Sequence, residues 1–352
     1  MIKSLIQLVS KLKSLPGWII YGSPLKQDES VIFFPSCANK LTDGCWNVPV
    51  RAWVFELEEN SLERRLGSHI LAELLEIFEV TEEQAHSAIF KERIKWFLVD
   101  NERNKRITFS LGRDKFTMPR SCPNGHTRLT FSLADDNTND WCSFQSLATV
   151  YSRKTFTGEV EFVSERGLSV ISDIDDTLKI SNVPDKQALL KNIFFNKYKP
   201  VAGMPELYQN LLDKNASFHY LSASPWALYP SLKPFLDTFY PKGSILLRHF
   251  RVLDSSFIKF FMSSQQYKTD AIRYMLRRFP HRNFMLIGDS SEKDPEIFAG
   301  IYTEFPDAIS QILIRKTPGS ALSKTDIEII FQQVPDEKWV EFDQPDEIQL
   351  RV

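Results

Sequence analysis

Residues 168–183 read LSVISDIDDTLKISNV. The opening LSVIS is a short, almost uninterrupted apolar run, as expected of a strand buried on both faces. It runs straight into Asp173, Asp175, Asp176 and Thr177. Side chains alternate in extended backbone, so Asp173 and Asp175 are expected to point the same way. Outward toward the C-terminus the chain then alternates strand and helix. A polar loop and a helical stretch are followed by Gly203-Met204-Pro205, which opens a helix through about Asp213, with Pro in the first turn, where its missing N–H costs little. SFHYLSA is the next strand, then a helix from Pro225 to Phe239, the strand SILLRHF, and a helix from Lys268 to Arg278. NFMLIGD follows, with a helix capped by Asp294 with Pro295 behind it, and then the strand ILIR. Strands alternating with helices predict a parallel sheet covered on both faces, with ligands bound at the carboxyl ends of its strands.

The strand ends carry, in order, Asp173-Ile174-Asp175-Asp176-Thr177, Ser222, Lys268, Asp289 and Asp294. One carboxylate can attack phosphorus while its neighbour two residues on handles the proton. Asp289 and Asp294 add oxygen ligands of the kind magnesium prefers, and no His or Cys stands nearby to favour zinc. Ser222 can donate to a phosphate oxygen, and Lys268 can neutralise charge that develops on the phosphoryl group. Taken singly, each has a plainer reading: Asp and Thr in a turn, Ser as a helix cap, Lys in a solvated first turn, Asp294 as an N-cap. Their joint occurrence, each where a strand ends or a helix begins, carries the functional reading.

DxDxT, a strand-end Ser, a Lys and GDxxxxD in this order resemble the haloacid-dehalogenase superfamily of aspartate-nucleophile phosphotransferases. The longer strings SDIDDTLKISNV, YLSASPW, YKTDAI and IGDSSEKDPEIF resemble, more specifically, the catalytic domain of the phosphatidate phosphatases typified by the fungal actin-patch enzyme, over roughly residues 166–315. FFPSCANK and VRAWVFELE resemble, less specifically, the part that precedes this domain in related proteins. The resemblance implies a three-layer, Rossmann-like α/β catalytic domain. It implies Asp173 as the nucleophile of an aspartyl-phosphate, Asp175 as general acid/base, and Ser222 and Lys268 as phosphoryl ligands. It further implies Mg2+ held by the side chains of Asp173 and Asp289 and the backbone carbonyl of Asp175, with Asp294 a direct or outer ligand. Ser291 departs from the related pattern, which often has Gly there.

About 45 residues separate Asp175 from Ser222, and about 45 more separate Ser222 from Lys268. Neither gap easily houses a full cap domain, and an open site suits a bulky or surface-bound substrate. Phe257, Ile258, Phe260, Phe261 and Met262 crowd the second gap beside Lys259, with Arg248 and Arg251 on the approach. Such a loop is either a buried element or an apolar, basic rim for an anionic lipid. Thr177, Arg248, Phe260 and Phe261 are the further candidates for substrate contact.

Before residue 166 the chain is mostly strand-like. WIIYG, SVIFFPS, VPVRAWVFEL, KWFLVD, RITFSLG, TRLTFSL and WCSFQSLATV are short β-branched and aromatic runs. Leu62, Leu66, Ile70, Leu74 and Phe78 mark a helical insertion, and a second helix opens at Thr81 with Gln84 in the capping-box position. Residues 1–165 are therefore expected to form a β-sandwich or barrel with helical decoration, and 166–352 the catalytic domain with a C-terminal extension. Ile2, Leu5, Val9, Leu12 and Leu15 share a helical face at the N-terminus, which reads as an amphipathic helix docked on the body, or more sharply as one on a membrane surface. Its apolar run is broken by Gln7, Ser10 and Lys11, unlike a signal peptide.

The whole chain has 352 residues, 43% apolar and 25% charged, proportions that exclude a disordered or fibrous protein. With 43 Lys+Arg against 45 Asp+Glu, a generally basic nucleic-acid binder is not expected. No apolar run approaches the roughly 18 residues of a membrane span. Cys37, Cys45, Cys122 and Cys142 form no CxxC pair and read as buried free thiols, in preference to a zinc site on Cys122 and His126. The expectation is a cytoplasmic, Mg2+-dependent phosphatase with peripheral membrane contact, cleaving phosphatidate to diacylglycerol and phosphate. The same chemistry on a protein or soluble phosphoester, and a non-catalytic lipid-binding module, stand as alternatives. A phosphoryl-accepting receiver fits less well, because its acceptor Asp follows a later strand than its acidic pair. The sequence names no protein partner.

Overall fold

The computed structural model describes residues 22–57, 84, 86–134, 141–249 and 265–351. The expected N-terminal helix, the helix on Leu62–Phe78, the cap at Thr81 and loop residues Phe257–Met262 lie outside these residues. The chain divides into two compact units, one of Met1–Leu62 with Val99–Phe162, the other of Glu63–Leu98 with Val163–Val352.

The first unit is mainly β. Its longest strand, Trp46–Glu56, pairs antiparallel with Glu29–Phe34 on one side and His126–Leu133 on the other. Trp46, Val48, Val50, Ala52 and Val54 all turn inward, the period-two burial expected of a sheet with one covered face. Phe109 sits among Phe33, Phe144 and Phe131, with ring centroids 6.1, 4.9 and 6.0 Å away. Gly158 lets strand Thr157–Phe162 approach this cluster, because a Cβ there would lie 2.3 Å from the Phe144 ring.

The second unit is α/β. Its six strands are β1 (Leu168–Ser172), β2 (Ser217–Pro225), β3 (Ser244–Arg248), β4 (Asn283–Asp289), β5 (Ile309–Arg315) and β6 (Trp339–Phe342). They lie in the order β3-β2-β1-β4-β5-β6 and all pair in parallel. Every residue of β1 is buried, as a central parallel strand requires. The strand order reverses between β1 and β4, and in such sheets the crevice at that reversal is where ligands bind. Asp173 follows β1 and Asp289 ends β4, so both lie at this point.

The helices are α1 (Ala88–Leu98), α2 (Lys186–Phe194), α3 (Met204–Leu212), α4 (Tyr229–Phe239), α5 (Gln265–Arg278), α6 (Asp294–Glu304) and α7 (Lys324–Ile330). Gly203 enters α3 at φ 76°, a left-handed conformation that glycine adopts without strain. Four expectations need correction. The four cysteines are thiols, but Cys37 is buried while Cys45 and Cys142 are half-buried and Cys122 is exposed. KWFLVD does not begin as a strand: Lys95–Leu98 is the last turn of α1, because Phe90, Ile94 and Leu98 recur four apart and are buried on one face. Pro225 ends β2 rather than opening a helix, and α4 starts only after the 3-10 turn Trp226–Leu228. Asp294 is the first residue of α6, not its cap, and no side chain caps that helix.

Candidate active site

After Ser172 the chain leaves the strand and folds back on itself. Asp176 takes φ 54°, and its carboxylate accepts the backbone N–H groups of Ser181 at 2.8 Å, Asn182 at 2.9 Å and Val183 at 2.6 Å. Asp and Asn tolerate this left-handed geometry better than most residues, because a short polar side chain can bond locally. The Asp176 N–H donates to the Lys179 carbonyl at 2.8 Å, and Arg315 from the end of β5 donates to the Asp176 carbonyl at 2.6 Å. The result is a tight flap, 173–183, that presents two separate carboxylate clusters.

The first cluster surrounds Asp173. Lys268, in the first turn of α5, is 1% exposed. Its Nζ lies 2.7 Å from Asp173 Oδ1, 2.5 Å from Glu292 Oε2 and 2.7 Å from Asp294 Oδ1. Carboxylate oxygens of Asp173, Glu292 and Asp294 lie within 4.8 Å of one another. Asp289 stands beside them: its Oδ1 accepts from Ser291 N at 2.5 Å, from the Ser291 hydroxyl, and from Thr317 Oγ1 at 3.1 Å. Ser291 thus supplies a side-chain hydrogen bond that glycine could not. Asp173 Oδ2 and Asp289 Oδ2 are buried with no hydrogen-bond partner among the described residues.

The electrostatics follow from that crowding. Burial, then the neighbouring carboxylates, push Asp173 well above the usual carboxylate range against the opposing pull of Lys268. Burial, with Asp294 and Glu292, does the same to Asp289. Burial pushes Glu292 up to about 7, with Lys268 opposing. For Lys268 the loss of water favours the neutral amine, but Asp173, Asp294 and Glu292 outweigh it and hold the ammonium. Three carboxylates on one ammonium, with Asp289 beside them and a bare oxygen on each of Asp173 and Asp289, fit a divalent cation of the hard, oxygen-loving kind.

The second cluster surrounds Asp175. Its Oδ1 accepts from Ser181 Oγ at 2.7 Å and pairs with Lys179 Nζ at 2.8 Å, while Oδ2 accepts from Ser222 Oγ and Ser224 Oγ, each at 3.0 Å. Burial alone would raise this carboxyl, but Lys179 and the bonds from Ser181 and Ser224 win and hold it far below the usual range. Asp173 and Asp175 therefore share no partner, although strand alternation had predicted a common direction: the strand stops at Ser172, and alternation stops with it.

Of the other candidates, Thr177, within the flap, is fully buried with no hydrogen-bond partner for Oγ1 among the described residues. Arg248 ends β3, half-buried. Phe260 and Phe261 lie outside the described residues. Sequence reading missed Glu292, Lys179, Ser181 and Ser224. Ser224 had a usable signal, because it stands two residues after Ser222 in the same strand and so shares its face. Lys179 and Ser181 had none, since only the Asp176 turn returns them to Asp175.

Residues 168–316 match the family model described as the catalytic domain of phosphatidate phosphatase APP1. A stretch of 163 residues, 45% of the chain, is 33% identical to the phosphatidate phosphatase APP1 of Saccharomyces cerevisiae. A stretch of 167 residues, 46% of the chain, is 32% identical to an uncharacterised protein of Schizosaccharomyces pombe. The matched stretch is 27% of the length of each relative. The likeness carried by the four motif strings is thus a likeness to this phosphatase catalytic domain.

Proposed function

We propose that the second unit is a Mg2+-dependent, haloacid-dehalogenase-like phosphatase acting on phosphatidate through an aspartyl-phosphate on Asp173. The observation that carries this reading is the buried Asp173 carboxylate at the sheet's reversal point, with Oδ1 against Lys268 and Oδ2 bare. Oδ2 is the oxygen that attacks phosphorus. As that bond forms, the bond from phosphorus to the ester oxygen breaks. Its electron pair stays on the ester oxygen, which takes a proton from Asp175. Lys179 and the serine hydroxyls hold that carboxyl ionised in the free site, so it gains this proton from the monoanionic phosphate ester as the substrate binds. Water then attacks phosphorus, Asp175 takes the water's proton, and the Asp173 carboxylate leaves. Lys268 offsets charge on the nucleophile and the phosphoryl oxygens throughout. Ser222, whose hydroxyl proton goes to Asp175 in the free site, would turn it to a phosphoryl oxygen when substrate binds.

Asp289 would hold the magnesium ion through its bare oxygen and Asp173 through the oxygen that does not attack, with the Asp175 carbonyl as a third ligand and Asp294 and Glu292 paired with Lys268. When bound, the ion supplies positive charge that lets an anionic nucleophile meet an anionic ester. Phosphatidate as substrate rests on the family of the matched domain and on the apolar, basic composition of the loop around Phe260 and Phe261. Membrane contact would be peripheral, since no described helix is long and apolar enough to cross a bilayer. The test is phosphate release from phosphatidate vesicles, other phospholipids and soluble esters, with EDTA or added Mg2+. Release from phosphatidate that needs Mg2+ supports the reading. A preference for a soluble ester would replace the lipid with a soluble substrate under the same chemistry.

A further inference from the structure

Two buried lysines serve the two carboxylate clusters. Lys268 serves the Asp173 group. Lys179 is 2% exposed, and among the described residues Asp175 is the one carboxylate within ion-pair distance of it. Its Nζ also donates to Ser181 Oγ at 2.6 Å, and that hydroxyl in turn donates to Asp175 Oδ1. The ammonium and the hydroxyl thus grip one oxygen, while Ser222 and Ser224 grip the other. Burying a lysine for a single partner carries a large desolvation cost, so the pairing needs a reason beyond stability.

Behind Lys179 the support continues. Its Nζ lies 4.9 Å from the centroid of the Tyr198 ring, and the Arg93 guanidinium of α1 lies 3.8 Å from that same centroid. Arg93 donates to the carbonyls of Asn192, at 3.2 Å, and Ile193, and the Tyr198 hydroxyl donates to the Ile193 carbonyl at 3.3 Å. A residue from the middle of the strand-rich half of the sequence therefore closes a chain of contacts that ends on Asp175.

We propose that Lys179 is a positioning residue for Asp175, which fixes the direction of its carboxylate for proton exchange with the ester oxygen and with water, and that Ser181 is its relay. The assignment rests on the aspartyl-phosphate chemistry proposed above. Its signature is selective. An alkoxide leaving group needs the proton that Asp175 delivers, whereas the nitrophenolate of p-nitrophenyl phosphate leaves without one. A defect in the direction of Asp175 therefore penalises phosphatidate more than the aryl ester. A purely structural defect slows both alike.

The experiment compares Lys179→Met, Lys179→Arg and Ser181→Ala with the wild type on phosphatidate and on p-nitrophenyl phosphate. Because Lys179→Met strips a buried carboxylate of its cation, Ser181→Ala serves as the milder second variant. In Lys179→Met, kcat on phosphatidate should fall at least about tenfold further than kcat on the aryl ester, with KM for each little changed. Ser181→Ala should show the same preference to a smaller degree, and Lys179→Arg should recover part of it. Equal losses on the two esters, or no loss, would overturn the proposal. A crystal structure of Lys179→Met separates this claim from the chemistry beneath it. Asp175 should have left Ser222 and Ser224, and a carboxylate still bonded to both would overturn the proposal whatever the activity. A wild type that hydrolyses neither ester, with Asp175 displaced in the variant, would instead discard the phosphatase reading.

Discussion

Asp289→Asn should make the metal-free protein more stable and much less responsive to magnesium. Asp289 is fully buried: its Oδ1 accepts three hydrogen bonds, two from Ser291 and one from Thr317, and its Oδ2 accepts none among the described residues. Asparagine keeps an oxygen for the three donors and replaces a carboxyl that must keep a proton when buried with a group that is neutral at every pH. Keeping a proton that the unfolded chain has lost costs about 1.4 kcal/mol for each pH unit above the ordinary carboxylate range. At about 2–4 °C per kcal/mol for a unit of this size, the unfolding midpoint in EDTA should rise by several degrees. The sign with pH is fixed by the shift. Burial and the neighbouring Asp294 and Glu292 raise the folded-state pKa of Asp289 above its unfolded value. The folded wild type thus keeps a proton that the unfolded chain has already lost, and its stability falls as pH rises from the ordinary carboxylate range toward the raised value. The variant lacks this loss, so its advantage in EDTA should widen as pH rises above the ordinary carboxylate range. Saturating Mg2+ should reverse the ranking, because a ligand at a hundredfold excess over Kd adds about 2.7 kcal/mol to the wild type alone. The assay is thermal unfolding followed by near-ultraviolet circular dichroism, with and without the metal. A lower midpoint for Asp289→Asn in EDTA, or equal magnesium shifts in both proteins, would refute the argument.

Phe90→Ala should destabilise the second unit by about 3–5 kcal/mol, measured by urea unfolding, because Phe90 is fully buried and stacks on Phe195 with centroids 4.9 Å apart. The pair Phe260→Asp and Phe261→Asp should lower activity on phosphatidate vesicles relative to a soluble ester, each charge costing about 2–3 kcal/mol at a bilayer centre and less at its surface. An unchanged ratio would remove that loop from the lipid argument. Limited proteolysis should cut the exposed stretch 164–167 between the last strand of the first unit and β1 before either core. Cuts spread evenly through both units would argue for one fused body.

The parallel sheet was legible because buried central strands write themselves as continuous apolar runs, and LSVIS, SFHYLSA and NFMLIGD each became a strand. The strand-end residues were legible for the same reason, since a strand's last apolar residue locates the next polar one at the sheet's edge. What stayed hidden depends on backbone that departs from regular periodicity. The return of Lys179 and Ser181 to Asp175 depends on one left-handed residue, Asp176, and no side-chain pattern announces it. Glu292 stands in the polar run SSEKD, where nothing in the pattern announces that it turns inward to Lys268. KWFLVD carried strand-like composition, but three buried residues at helical spacing decided otherwise. The role of Arg93 was invisible for a different reason: its partners lie about 100 residues away in sequence.

The account stands or falls on Asp173. Phosphate release from phosphatidate vesicles in Mg2+ should be undetectable with Asp173→Asn, while circular dichroism shows the same folded protein as the wild type. A folded Asp173→Asn variant that releases phosphate at the wild-type rate would contradict it.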